Sequence, residues 1–442
     1  MANPIPNLFK VPELKEKILF TLMVLLIYRF GAHITVPGVN YIALEQAFGQ
    51  FADTLLGVYD MFVGGALSKA TVLALGIMPY ISASIMFQLL AAVFPTIEKM
   101  QKEGEDGRKK LTQWTRYATI VLALMQGVGY SFFLQQLNAQ TPGVVITTGA
   151  WFILSSTLIF TIGAVFVMWL GEQITERGIG NGMSLLIFFS IIQGFPGGAA
   201  TTWQQATTGV ISWFAVFMLI LVMVVVIAGV VAMTMAARKI PVQIPRKVMG
   251  RGRVREGQKS FIPLRINSAG VMPIIFAQSI IIIPGTAAQF SSIGWLQNAS
   301  EFLQPGAALY NILYALLILF FTYFYTSIIF NPVDLAENLK KQGGFIPGVK
   351  PGARTAEYID YVLSRVTIVG AIYLALIALL PFWIIGWFNL GNTFFFGGTS
   401  LLIVVGVALD TVQQMQQHML LRHYEGFMKK GRVRFRGRQR YM

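Results

Sequence analysis

V-I-S-W-F-A-V-F-M-L-I-L-V-M-V-V-V-I-A-G-V-V-A-M-T-M-A-A, residues 210–237, carries no charged side chain over 28 positions. A helix rises about 1.5 Å per residue, so this run exceeds the ~30 Å hydrocarbon core of a bilayer. The next stretch reverses the chemistry. Residues 238–265 hold nine basic side chains against one acid, Glu256. A long apolar run that meets a dense basic segment reads as a spanning helix that ends at a cytoplasmic surface.

The same reading extends in both directions. Ile18 to Val36, Thr71 to Phe94, Trp151 to Leu170 and Leu309 to Phe330 are uninterrupted runs of the same kind. Tyr117 to Leu137, Met183 to Trp203, Ser268 to Ala288, Val366 to Phe388 and Thr399 to Leu421 are interrupted but similar. With 210–237 they predict about ten transmembrane helices, an all-α polytopic membrane protein. The composition agrees. The chain of 442 residues is 55% hydrophobic and 12% charged, against the ~25% charged residues of a soluble domain. The first run follows Lys10, Lys15 and Lys17 with no small-residue cleavage site after it, so it is read as a retained span.

The placement of the net charge of +15 tests the count. Ten spans put 32 of the 34 basic residues on one side: the N-terminal segment, the 2–3, 4–5, 6–7 and 8–9 loops, and the C-terminal tail. Only Arg29 and Lys69 fall elsewhere. One missed span would scramble that alternation. The positive-inside rule then sets both termini in the cytoplasm.

The spans carry few ionisable groups: Arg29 and His33 in the first, Asp410 in the tenth. A secondary transporter normally keeps such groups in mid-span for its ions or solute. There is no cysteine, and three histidines form no H-E-x-x-H helix. No G-x-x-x-x-G-K-[ST] loop is present. No enzyme, metal site or cofactor is expected, and any energy source is external. D-T-L-L-G-V-Y-D-M-F-V-G-G-A-L-S-K, residues 53–69, is apolar but too short to cross. It reads as a surface amphipathic helix or as a re-entrant segment buried in protein. The R-x-R-x-R pattern at Arg251, Arg253 and Arg255 suits an anionic surface such as RNA phosphate or lipid. Composition alone leaves channel and solute transporter both open.

Five motifs narrow the choice. P-Y-I-S-A-S-I (79–85), K-E-G-E-D-G-R-K-K (102–110), G-E-Q-I-T-E-R-G-I-G-N-G (171–182), F-I-P-G-V-K-P-G (345–352) and F-G-G-T-S-L-L-I (396–403) resemble those of the SecY family. SecY proteins are the central channel subunits of the bacterial Sec translocon. The resemblance runs the length of the chain. It implies a protein-conducting channel of the cytoplasmic membrane that exports secretory proteins and releases hydrophobic helices laterally into lipid. The fold would be two inverted pseudo-repeated halves, 1–205 and 206–421, around a central pore, followed by a basic cytoplasmic tail, 422–442. The pore ring would comprise Ile81, Ile85, Ile191, Ile275 and Ile403, with a sixth member unplaced. The plug would be Tyr59, Asp60, Met61, Phe62, Val63, Gly64, Gly65, Ala66, Leu67, Ser68, Lys69 and Ala70. Spans 2 and 7 would form a lateral gate, with Gln88 and Asn267 as its polar residues.

Implied partners are the small membrane subunits SecE and SecG, the motor ATPase SecA, the ribosome, signal sequences with nascent chains, and anionic lipid. Arg251, Arg253, Arg255, Lys350 and Arg354 would serve docking. Lys350 departs from the family, which usually has Arg there. Lysine keeps the charge but loses the planar fork, and the nearby Arg354 could share the role.

Overall fold

Each of the ten apolar runs contains a long helix. The computed structural model describes residues 12–52, 54–243, 248–249, 253–254, 259–290, 304–305, 307–388 and 398–430. In chain order the elements are α1 (Pro12–Gly31), α2 (Tyr41–Phe48), α3 (Leu55–Val63), α4 (Met78–Val93), α5 (Pro95–Lys102), α6 (Glu105–Gln140), α7 (Ala150–Arg177), α8 (Gly182–Thr207) and α9 (Trp213–Met235). Then come β1 (Ala237–Gln243), β2 (Val248–Met249), β3 (Arg253–Val254), β4 (Lys259–Arg265), α10 (Met272–Phe290), α11 (Ala308–Ile329), α12 (Pro332–Lys341), α13 (Ala353–Phe388) and α14 (Gly398–Lys430). Among the described residues, six helices are long and apolar enough to cross a bilayer on their own: α6, α7, α8, α9, α11 and α13. Counted as one span, the pair α4–α5, bent by 111°, makes a seventh. Pro95 accounts for the bend, because it holds Phe94 in an extended conformation (φ −101°, ψ 113°). Helices α1, α10 and α14 occupy the remaining three runs.

Lipid-facing surface is plain on α9. Phe214, Phe217, Ile220, Leu221, Val224 and Val225 are all exposed on it. A continuous apolar face of this kind is insoluble in water and at home in hydrocarbon. Inside, residues from α1 through α14 join one apolar core.

Three helix boundaries differ from the apolar runs. Helix α6 begins at Glu105, so Arg108, Lys109, Lys110 and Arg116 ride on a helix rather than in a loop. Helix α14 continues to Lys430, so the first part of the basic tail is helical. Lys, Arg, Glu and Gln are good helix formers and let a spanning helix continue beyond the bilayer. Span 2 shortens instead. Its helix starts at Met78, Thr71 bridges to Thr35, and residues 72–77 form turns. Gly76 requires φ +53° there, and a Cβ on it would lie 2.8 Å from Val63 Cγ1.

The 6–7 segment adds short strands to this helical architecture. β1 and β4 pair antiparallel from Ala237↔Arg265 to Gln243↔Lys259, and β2 and β3 pair as Val248↔Val254 and Met249↔Arg253. Both ladders are centred on position 251, so they belong to one hairpin. Its inner face is apolar: Ile240, Val242 and Leu264 pack with Ile346 and Ile359 in a second, smaller core. Gln243 and Phe345 exchange both backbone hydrogen bonds at 2.9 Å. The 6–7 hairpin and the 8–9 segment are thus stitched together.

Candidate pore and gate

Helix geometry brings the expected ring residues into one place. Ile81 and Ile85, four apart on α4, share a face. Both belong to the same core as Ile191 of α8, Ile275 of α10 and Ile403 of α14. All five are buried, and Ile403 is 0% exposed. A cavity of 360 Å³ lies against this cluster, with Ile81, Ile275 and Ile187 in its wall. Its wall also carries polar side chains, among them Ser84, Gln88, Arg116, Glu172 and Glu176. Arg116 Nε and Nη2 each donate to a separate oxygen of Glu172 at 2.8 Å, which fixes α6 to α7. Ile187 of α8, also buried, shares the cavity wall with Ile81 and Ile275. It stands one turn before Ile191, as Ile81 stands before Ile85, and that repeated i, i+4 pair was the available signal.

The short apolar segment is buried rather than on the surface. Thr54 caps α3 by accepting from the Leu56 N–H at 3.2 Å, and Gly64 ends the helix in the left-handed region. Leu55, Leu56, Tyr59, Phe62, Val63, Ala66, Leu67 and Ala70 are all buried. Side chains from three spanning helices hold its backbone carbonyls. The Tyr28 hydroxyl donates to Val63 O (3.3 Å) and also meets Ser190 Oγ (2.8 Å). Gln193 Nε2 donates to Gly64 O at 2.7 Å, and the Tyr130 hydroxyl donates to Leu67 O. Within the segment, Asp60 Oδ1 accepts from the Ser68 N–H (2.9 Å). Burial raises the Asp60 carboxyl above its ordinary pKa, and the Ser68 hydrogen bond opposes that rise. Met61 is half-buried against the core, Gly65 has φ +75°, and Lys69 pairs with Glu45 at 3.6 Å.

Helices α4 and α10 touch. The Ser279 hydroxyl donates to Ile275 O (2.7 Å) and lies 3.9 Å from the Met78 sulfur. Gln88 Nε2 donates to Ser84 Oγ at 3.0 Å, on the cavity wall. Asn267 is not brought to Gln88. It sits in a turn ahead of α10 and lines a different cavity. The two expected gate residues thus line different cavities, and Ser279 of α10 meets Met78 of α4.

Of the docking residues, Arg251 and Arg255 lie outside the described residues, and Arg253 falls in β3. Lys350 O accepts from the Thr355 hydroxyl (3.0 Å) ahead of α13. Arg354 is exposed, 3.7 Å from Glu357. Among the described residues no group of three His, Cys, Asp or Glu side chains could hold a metal ion.

A family model described as SecY matches residues 71–412. The chain belongs to the SecY family. Proteins named protein translocase subunit SecY match it at full length. That of Aquifex aeolicus (strain VF5) is 42% identical, covering 97% of this chain and 100% of the relative. That of Escherichia coli (strain K12) is 44% identical over 96% of each, and that of Streptomyces griseus is 45% identical over 97% and 100%. The fold agrees with the SecY assignment. A solved protein conducting channel aligns with TM-score 0.65 at 18% identity, covering 94% of this chain and 97% of that one. Sec61 in a canine ribosome-channel complex aligns with TM-score 0.62 at 17% identity, with the same coverage. As a SecY family member with many apolar helices, the chain is a multi-pass protein of the bacterial membrane.

Proposed function

We propose that this protein is the protein-conducting channel of the bacterial cytoplasmic membrane, passing secretory chains through its centre and releasing hydrophobic helices sideways into lipid. Membership of the SecY family supports the reading. The observation that carries it is a set of buried isoleucines against a 360 Å³ cavity. A channel for chains of any sequence needs a constriction with no chemical preference. Branched apolar side chains form a deformable, non-adhesive gasket, and such a ring resists ion leak by dewetting.

In this reading Ile187 joins Ile81, Ile85, Ile191, Ile275 and Ile403 as the sixth ring residue. The segment 59–70 is the plug, held by its backbone below the ring. Helices α4 and α10 are the lateral gate, with Gln88, Ser84 and Ser279 as its polar contacts. A signal helix leaves through that gate because ~20 apolar residues are stable in lipid and polar segments are not. The division into halves at 205/206 falls at the end of α8. Both termini are cytoplasmic, on the charge distribution.

The chain itself performs no catalysis and needs no cofactor. Energy comes from a SecA-type ATPase or from a translating ribosome, docked on the 6–7 hairpin and on Lys350 and Arg354. SecE- and SecG-like subunits complete the complex, and anionic lipid meets the basic tail. The deciding experiment is reconstitution in vesicles with the small subunits, the motor ATPase, ATP and a secretory precursor. The expected result is ATP-dependent protease protection of the precursor. Absence of protection, with the partner subunits present, overturns the reading.

A further inference from the structure

A second cavity lies among α9, the turn ahead of α10, α13 and α14. It measures 20 Å³, and one water needs about 10–15 Å³ of such space. Four polar side chains line it; the Thr234 hydroxyl already donates to Val230 O at 2.7 Å, which leaves three. Asn267 Oδ1 and the Tyr373 hydroxyl are buried with no hydrogen-bond partner among the described residues. Asp410 of α14 completes the wall. Buried polar groups are almost always paired, with protein or with ordered water.

Glycines create the space. Gly270, Gly370 and Gly406 line the cavity. Gly270 holds φ +64°, and a Cβ on it would come within 3.5 Å of Asp410 Oδ2. On α9, a Cβ at Gly229 would lie 2.4 Å from the Tyr373 hydroxyl oxygen. The backbone has been cleared around these polar atoms.

The three groups differ in hydrogen-bonding kind. Tyr373 can donate, whereas Asn267 Oδ1 and an ionised Asp410 can only accept. A water molecule complements that set completely: it accepts once and donates twice. A cation would leave the tyrosine hydrogen without an acceptor.

We propose that this cavity binds one ordered water, which accepts from Tyr373 and donates to Asn267 and Asp410. Asn267 belongs to the chain leading into α10, while Tyr373 and Asp410 stand on α13 and α14. The water therefore ties the start of the gate helix to two helices of the C-terminal half. Its presence does not depend on the channel reading; its effect on gating rests on that reading.

Two measurements test it on the full complex in nanodiscs. A cryo-EM map fine enough to show ordered water should contain one peak within hydrogen-bonding distance of all three groups, unchanged when choline replaces sodium. Absence of the peak, or its loss in choline, overturns the proposal. The second measurement is a double-mutant cycle on unfolding with Tyr373→Phe and Asn267→Ala. The two side chains share no direct hydrogen bond, so coupling between them reports what lies between them. The double variant should be no less stable than the weaker single variant, and strictly additive losses overturn the shared water. If the water also restrains the gate, Tyr373→Phe should raise export of a precursor with a defective signal about fivefold, the factor for one lost hydrogen bond. Unchanged export with an intact cycle would refute the gating role and leave the water in place.

Discussion

The seat of the plug can be dismantled without touching the plug. Tyr28, Tyr130 and Gln193 each donate to one of its carbonyls, at Val63, Leu67 and Gly64. The variant Tyr28→Phe/Tyr130→Phe/Gln193→Leu removes all three donors and keeps nearly the same side-chain volumes. Each net hydrogen bond contributes about 1 kcal/mol, and a buried carbonyl left bare costs about 1–3 kcal/mol. The seated state should therefore lose about 3 kcal/mol or more. At about 1.4 kcal/mol per tenfold, the unseated fraction rises by roughly two orders of magnitude. Single-channel recording of the reconstituted resting complex reads this as frequent spontaneous openings. Tyr130→Phe alone should show a smaller rise of roughly fivefold to tenfold. A folded triple variant with the resting conductance of the parent would refute the reasoning, since the carbonyl bonds would then not hold the plug.

The ring gives a second prediction. Ile403→Asn or Ile275→Ser should wet the constriction, raise ion leak and admit poor signal sequences, and unchanged leak with unchanged selectivity would remove these residues from the ring. Close packing gives a third. A Cβ at Gly163 on α7 would lie 1.8 Å from Val72 O, a backbone atom, so Gly163→Ala should destabilise by a few kcal/mol. Gly194→Ala, with nothing within 4 Å, is the matched control, and equal unfolding midpoints would contradict the packing. For the hairpin, Arg251, Arg253 and Arg255 changed together to Glu should weaken ribosome binding, and the slope of log affinity against log salt should fall by about one for each phosphate no longer neutralised. An unchanged slope would place the docking surface elsewhere.

Hydropathy and charge sidedness were enough to read the spans, because lipid imposes both constraints on sequence directly. They could not mark where helices end in water. The basic residues Arg108 to Arg116 read as a loop by charge yet form a helix, since nothing in their side chains breaks one. The hairpin carried a faint signal. In K-I-P-V-Q, Ile240 and Val242 alternate with exposed neighbours, the period of a half-buried strand, but the surrounding glycines and arginines read as loop. The resemblance supplied five candidates for a ring, and Ile187 was not among them although its spacing from Ile191 repeats that of Ile81 and Ile85. That Gln88 and Asn267 line different cavities was not readable, because the register of a turn is not encoded in periodicity. The carbonyl contacts of Tyr28, Tyr130 and Gln193 span long sequence separations and need the fold to appear.

The 6–7 hairpin and the 8–9 segment share a small core and the Gln243–Phe345 hydrogen-bond pair. Ile359 of that core is already part of α13, and β4 runs within a few residues of α10. Mechanically this is a rigid handle with two shafts. A load applied at the β1–β4 ladder acts on the chain entering α10 and, through the shared core, on α13. A partner that only leans on the handle, without entering the channel, could thereby change the tilt of the gate helix before any substrate arrives.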